Sequence, residues 1–155
     1  MISSPRKIEY LKVEPSDERF IQLVKELDSY LAITDGEDHH FYNQYNQLDK
    51  IDAVILALYE GEVAACGALR KFEGKTVEIK RMYVRPPMRR KGLASGILTQ
   101  LEELASTLGF DRCILETGIN QKEALKLYPA NGYQVIPNYG PYTHVEASTC
   151  MEKWL

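Results

Sequence analysis

The run Glu78-Ile-Lys-Arg-Met-Tyr-Val-Arg-Pro-Pro-Met-Arg-Arg-Lys-Gly-Leu-Ala94 decides how this chain is read. It predicts a strand that stops at a Pro-Pro turn, a cationic loop ending in Gly92, and a long amphipathic helix. That order is suited to holding phosphates. The first N–H groups of a helix have no intrahelical partner, and the helix dipole adds partial positive charge where they point. Arg85, Arg89, Arg90 and Lys91 place four full charges within seven residues of the turn. The ligand implied is polyanionic.

The rest of the composition sets this loop apart. The 155 residues suffice for one domain with a core, and 45% hydrophobic with 26% charged residues are globular values. The net charge is −3, so the chain as a whole has no pull toward nucleic acid or an anionic membrane. The basic cluster is short, and aromatic residues do not interleave its charges as a nucleic-acid binder would need. Cys66, Cys113 and Cys150 are an odd, widely spaced set with no His at metal-ligand spacing, which predicts buried free thiols, no metal site and a reducing cytoplasm. Met1 to Lys7 has no apolar signal-peptide core, and no apolar run approaches the ~20 residues that span a bilayer.

Outward from the central stretch, the pattern predicts one mixed α/β domain. Lys7 to Val13 alternates as a strand. Ser16 is the expected N-cap of a helix carrying Phe20, Leu23, Val24, Leu27 and Leu31, and His39 to Asn46 is a candidate short second helix. Asp52 to Tyr59 and Val63 to Arg70 form a hairpin about Glu60-Gly61, and Glu73-Gly74-Lys75 turns into Thr76 to Val84. The helix from Gly92 to Leu108 places Leu93, Ile97, Leu101, Leu104 and Leu108 on one face before Gly109 stops it. A strand at Arg112 to Thr117, a helix at Gln121 to Ala130, and strands at Tyr133 to Ile136 and Thr149 to Trp154 complete the chain. Hairpins early and crossovers late imply a mixed sheet with helices on both faces, mostly antiparallel if the fold is the one that the motifs described next resemble.

Arg89-Arg90-Lys91-Gly92-Leu93-Ala94 matches an Arg/Gln-x-x-Gly-x-Gly/Ala pattern, in which small residues let a pyrophosphate approach backbone amides. The Gly-x-Gly-x-x-Gly and Gly-x-x-x-x-Gly-Lys-Ser/Thr patterns are both missing. Downstream, Asn120 precedes Ala124, Leu127 and Tyr128 at helical spacing, and Gly132-Tyr133 opens the next strand. In this order the motifs resemble those of the GNAT superfamily of N-acetyltransferases, over roughly the whole chain and most specifically from Thr76 to Tyr133.

The resemblance implies the acyl-CoA N-acyltransferase fold and transfer of an acetyl group from acetyl-CoA to a primary amine by direct attack in a ternary complex. It implies that Met82, Tyr83 and Val84 run beside the pantetheine arm. Arg89, Arg90, Lys91, Gly92, Leu93, Ala94 and Ser95 would take the pyrophosphate, and Asn120 would contact the pantetheine. Tyr128 would stand by the sulfur, and Glu78 falls where some members carry a general base. The chemistry agrees with such a set. A lysine-type amine titrates near pH 10.4 and must lose a proton, and a phenol near 10 hydrogen-bonds a departing thiolate near 8.5 rather than protonating it. Pro129, directly after Tyr128, departs from the commonest run of the motif and predicts either a redirected Tyr128 or an early helix end.

The expected acceptor is a small amine such as an amino acid or polyamine, with a protein lysine or N-terminus as the alternative. A catalytically silent CoA-binding domain is the reading from a different class. Asp35, Glu37 and Asp38, with Tyr42, Tyr45, Tyr139 and Tyr142, are the expected acceptor-side residues, and His39, His40 and His144 are candidates for proton transfer. An exposed terminal strand would allow a homodimer.

Overall fold

The computed structural model describes residues 7–36 and 50–155. The candidate helix at His39 to Asn46, and with it Glu37, Asp38, His39, His40, Tyr42 and Tyr45, lies outside the described residues, as does the chain before Lys7.

Strand β1 (Ile8–Val13) leads to helix α1 (Glu18–Thr34). Strands β2 (Ala53–Tyr59), β3 (Glu62–Lys71) and β4 (Thr76–Val84) follow, then helix α2 (Leu93–Thr107) and strand β5 (Arg112–Gly118). Helix α3 (Lys122–Ala130), the short β6 (Gln134–Ile136) and β7 (Ser148–Trp154) end the fold. The seven strands form one sheet in the order β1-β2-β3-β4-β5-β7-β6. Every neighbouring pair is antiparallel except β4 with β5. The mixed, mostly antiparallel sheet expected from the sequence is therefore the one observed.

Local chemistry explains the elements. Glu60 and Gly61 both have positive φ (51° and 82°), the geometry of a two-residue hairpin turn matched to strand twist. The N-cap of α1 is Asp17, whose carboxylate accepts from the Arg19 N–H at 2.9 Å, rather than the expected Ser16. Arg19 also pairs with that carboxylate through its guanidinium, so Asp17 gains two partners from one residue.

The sheet is covered on both faces. On one, Phe20, Leu23 and Leu27 of α1 pack on Val54, Leu56, Cys66 and Ala68. On the other, Leu93, Ile97, Leu98, Leu101 and Ala105 of α2, with Tyr128 of α3, pack on Ala65, Leu69, Val77, Ile79, Cys113 and Leu115. Leu108, expected on the buried face of α2, is instead exposed, because the helix ends at Thr107 and Leu108 is its cap. All three cysteines are buried free thiols, and burial pushes Cys66 and Cys113 up to about 12, too high to supply a thiolate near neutrality.

Two irregularities interrupt the ladders on either side of β4. The parallel pair β4 and β5 is joined only at Thr76–Arg112, Val77–Cys113 and Glu78–Ile114, after which the strands part. On its other edge β4 bulges: Ala68 faces Lys80 and Cys66 faces Tyr83, so Gly67 alone stands opposite Arg81 and Met82. Arg81 takes up the extra length with a left-handed backbone at φ 58°.

Candidate active site

The parting of β4 and β5 opens a cleft of about 520 Å³. Its walls come from the end of α1, from β4 beyond its paired segment, from the loop and first turn of α2, from the end of β5, and from α3. Of the residues expected to hold the cofactor, Met82, Tyr83, Val84, Arg89, Arg90, Gly92, Leu93, Ala94, Ser95 and Tyr128 line it.

The loop between β4 and α2 is shaped for a close anionic ligand. Pro86–Met88 forms a single 3-10 turn, after which Arg90 (φ 65°) and Gly92 (φ 80°) are both left-handed. Gly92 is the N-cap of α2, and no side chain caps the helix. The first intrahelical bond runs from the Gly96 N–H to the Gly92 carbonyl, which leaves the preceding first-turn amides to the cleft. Among the described residues, a Cβ at Gly92 would meet nothing within 4 Å. Gly96 is small for another reason: a Cβ there would run into the Tyr10 hydroxyl of β1, which lies across the helix.

The cationic side chains divide. Arg89 donates through Nε to the Val84 carbonyl at 3.0 Å, and its guanidinium carbon stands 5.2 Å from the Tyr30 ring centre. Arg85 is bound to Glu26 by two hydrogen bonds and to the Val63 carbonyl, so it braces α1 against the sheet. Lys91 is exposed and turned away over the Tyr59 ring at 4.9 Å, and it does not line the cleft.

Helix α3 closes the opposite wall. It continues one residue past Pro129 to Ala130, so the proline neither ends it early nor breaks it. The Tyr133 and Asn131 N–H groups both bond the Tyr128 carbonyl and finish the turn. Tyr128 is 6% exposed and meets Tyr133 edge-on at 5.7 Å between ring centres. Burial, then the negative Glu116 nearby, holds its phenol well above the ordinary range, so it keeps its proton. Asn131 donates to the Leu127 carbonyl at 2.9 Å and to the Ser95 hydroxyl at 3.2 Å, tying α3 to the first turn of α2 across the cleft.

Several expected residues stand elsewhere. Asn120 is exposed in the turn after β5, outside the lining of the cleft, because the turn carries it to solvent before α3 begins. Its neighbour Gln121 takes the wall position and reaches the Thr34 hydroxyl at 2.9 Å and the Asp35 carboxylate at 3.2 Å. Glu78 is 3% exposed and does not line the cleft. Its two oxygens are engaged separately, by Arg70 Nη1 at 3.1 Å and by the Tyr139 hydroxyl at 2.5 Å. Tyr139 is thereby bound to the sheet, and Tyr142 packs against Cys150, so neither is a wall of the cleft. His144 is exposed and likewise outside the lining. Asp35, by contrast, is buried at its edge.

A residue not singled out from the sequence does line it. Glu116 of β5 lies two residues past the last paired position, on the side of the sheet that carries Glu78 and Lys80. Its only sequence signal is an acid in an otherwise apolar strand, Cys113-Ile114-Leu115-Glu116.

The model of the acetyltransferase (GNAT) family matches residues 8–133. Among curated proteins, an IAA acetyltransferase of Azospirillum brasilense is 31% identical over 141 residues, covering 90% of this chain and 92% of its own length. The uncharacterised N-acetyltransferase YjgM of Escherichia coli is 34% identical over 112 residues, with 70% and 66% coverage. An acyl-CoA N-acyltransferase assigned in Klebsiella pneumoniae superposes with a TM-score of 0.81 at 30% identity, covering 96% and 97% of the two chains. The PaiA N-acetyltransferase of Thermoplasma acidophilum, solved with coenzyme A, shares the fold at a TM-score of 0.68 and 18% identity, covering 96% of this chain and 99% of its own. The match over most of the chain, on a sheet split between its two parallel strands, makes this protein a member of the acetyltransferase (GNAT) family and an N-acetyltransferase.

Proposed function

We propose that the protein transfers the acetyl group of acetyl-CoA to a primary amine on a small molecule, by direct attack within a ternary complex. The observation that carries this reading is the continuous cleft that runs from the uncapped start of α2, through the gap between β4 and β5, to Tyr128 and Glu116. Its volume is in the range of small-ligand sites, and its two ends differ in chemistry.

At the α2 end, the free first-turn amides, Arg90 and the Ser95 hydroxyl suit a pyrophosphate. Arg89, already anchored on Val84, adds charge without needing to be ordered on binding. The bulge at Arg81 and Met82 interrupts the ladder with β3, and the ladder between β4 and β5 ends at Glu78–Ile114. Past that pair, β4 offers backbone groups to an extended amide-bearing arm in the manner of an added strand.

Each chemical demand has a residue near it. As the amine adds to the thioester carbonyl, negative charge grows on the carbonyl oxygen, and an amide of the splayed β4 near Met82 can donate to it. The C–S bond then breaks, and the Tyr128 hydroxyl, held protonated, donates a hydrogen bond to the departing sulfur. The nitrogen loses a proton to an acceptor on the acid-bearing side of the sheet. Asp35 and Glu116 on that side suit an acceptor that arrives as an ammonium ion.

The test is thiol release from acetyl-CoA with spermidine, L-lysine, benzylamine and a lysine-bearing peptide offered in parallel, with products weighed by mass spectrometry. Acetylation of one or more of the three small amines supports the reading. Acetylation of the peptide alone would move the acceptor to protein, and no thiol release with any of them would overturn acetyl transfer to amines.

A further inference from the structure

We infer that Glu116 of β5 is the group that takes the proton from the incoming amine. The inference rests on the acetyl-transfer reading above and assigns one step of it.

The geometry is specific. β4 and β5 are paired only through Glu78–Ile114, and Glu116 is the next residue of β5 on the same side, at the place where the strands have separated. It lines the cleft. Its Oε2 is buried, and it is the one side-chain nitrogen or oxygen among the described residues that is buried without a hydrogen-bond partner. A carboxylate oxygen withdrawn from water without a donor costs free energy, so its persistence at the wall of a ligand cleft calls for a donor that arrives with the ligand. An amine N–H is such a donor.

The neighbours agree. Tyr128 reaches the same gap from the other face of the sheet, where it packs in the core under α2 and α3, and it feels the charge of Glu116. The sulfur side and the nitrogen side of the reaction are thus served by residues from opposite faces, meeting where the sheet is split. Glu78, two residues back along the pair, has both oxygens engaged and lies outside the cleft, so a proton transfer there would first have to break its bonds to Arg70 and Tyr139.

The charged and polar groups around Glu116 are Ser148 of β7, Lys80 and Glu78 of β4, and Asp35 beyond α1, with Tyr128 of α3 opposite. Burial outweighs the Ser148 hydrogen bond and the Lys80 charge and pushes the carboxyl up to about 7, with Asp35 and Glu78 adding to the rise. A base that titrates there is ionised near neutrality and matched to the cationic nitrogen of the addition intermediate, which is far more acidic than the free ammonium ion. In the step, the amine, having shed one proton to solvent on entry, forms the N–C bond as the neutral nucleophile. The C–S bond breaks with its electron pair leaving on sulfur as the CoA thiolate, and the second proton passes from the now cationic nitrogen to Glu116 Oε2, directly or through one water. That proton leaves to solvent once the amide product has gone.

The test compares the pH dependence of kcat for the wild type and Glu116→Gln, with saturating acetyl-CoA and the amines spermidine, L-lysine and benzylamine. Glutamine keeps the shape and can still accept from Ser148, and Glu116→Asp serves as a second variant that keeps the carboxylate. The wild-type kcat should fall tenfold per pH unit below a limb near pH 7. Glu116→Gln should lose that limb and roughly 10²–10⁴-fold in kcat, with acetyl-CoA affinity unchanged, while Glu116→Asp keeps the limb at reduced rate. A Glu116→Gln enzyme with the wild-type limb and rate overturns the assignment, and so does joint loss of activity and acetyl-CoA binding, which would mark a structural role. Absence of thiol release by the wild type would instead overturn the acetyl-transfer reading beneath it.

Discussion

A Cβ placed on Gly67 would lie 2.6 Å from the sulfur of Met82, so the glycine of β3 and the bulged methionine of β4 occupy each other's space. The same Cβ would lie 2.6 Å from Ile97 and 3.0 Å from Leu101 of α2. Glycine here is required by close approach: it lets the bulge sit down on the sheet while α2 packs over it.

Gly67→Ala should therefore destabilise the protein by about 1–3 kcal/mol through overpacking. Because Met82 is the most easily displaced neighbour, acetyl-CoA turnover should fall further than stability alone explains. Chemical denaturation beside steady-state kinetics checks both. A variant of unchanged stability would show that Met82 and Ile97 have room to move aside.

Tyr128→Phe removes only the hydroxyl from a ring that is otherwise core. If the hydroxyl serves the departing sulfur, kcat should drop at least tenfold while KM for acetyl-CoA stays near the wild-type value. Equal kcat would return Tyr128 to a packing role beside Tyr133.

Glu116 ties stability to pH in the direction opposite to a paired carboxylate. Its folded-state value of about 7 lies above its ordinary 4.5, so between these the folded chain holds a proton that the unfolded chain has lost. Stability from this group is thus greatest at low pH, falls as pH rises from about 4.5 to 7, and stays lost above that. Glu116→Gln should consequently be more stable than the wild type at pH 8, by up to about 3 kcal/mol, and level with it near pH 4. Melting temperatures at the two pH values measure this, and a variant less stable at pH 8 would contradict it. Such a gain beside lost activity is the usual signature of a site that trades stability for function.

Asn131 and Ser95 join α3 to the first turn of α2 by one hydrogen bond of 3.2 Å. By donating to the Ser95 oxygen, Asn131 leaves that hydroxyl's own hydrogen free to turn toward an acceptor in the cleft. Asn131→Ala should weaken acetyl-CoA binding several-fold, and Ser95→Ala should do the same. The double variant should be little worse than either single one. Fully additive losses would show that the two residues act apart.

Much of the fold was legible in the sequence, and the parts that were not share a cause. Strand and helix order follows from alternation, helical spacing and turn residues, all of which act within a few positions. The basic loop at the start of α2 is legible because Arg89 to Ala94 carries its signal in consecutive residues, all but Lys91 of which line the cleft. Glu116 is not, since an acid within an apolar strand looks alike whether it meets a partner, solvent or an empty cleft. What sets it apart is that β5 leaves β4 two residues earlier, a property of two strands at once. Glu78 is opaque for the same reason: alternation shows its strand position, but its bonds to Arg70 and Tyr139 join segments distant in sequence. Asn120 and Gln121 differ by one place, and only the turn after β5 decides which of them faces the cleft.

Calorimetric titration of acetyl-CoA into the wild type and into Gly92→Glu, with ATP as a control for loose binding of phosphates, tests the cofactor site most directly. The substitution puts a negative side chain at the uncapped start of α2, on a backbone already at φ 80°. The wild type should bind acetyl-CoA saturably and ATP little, and a Gly92→Glu protein that still folds should lose acetyl-CoA binding. Equal acetyl-CoA affinity in the two proteins, or none in the wild type, would contradict the assignment of this loop to the cofactor.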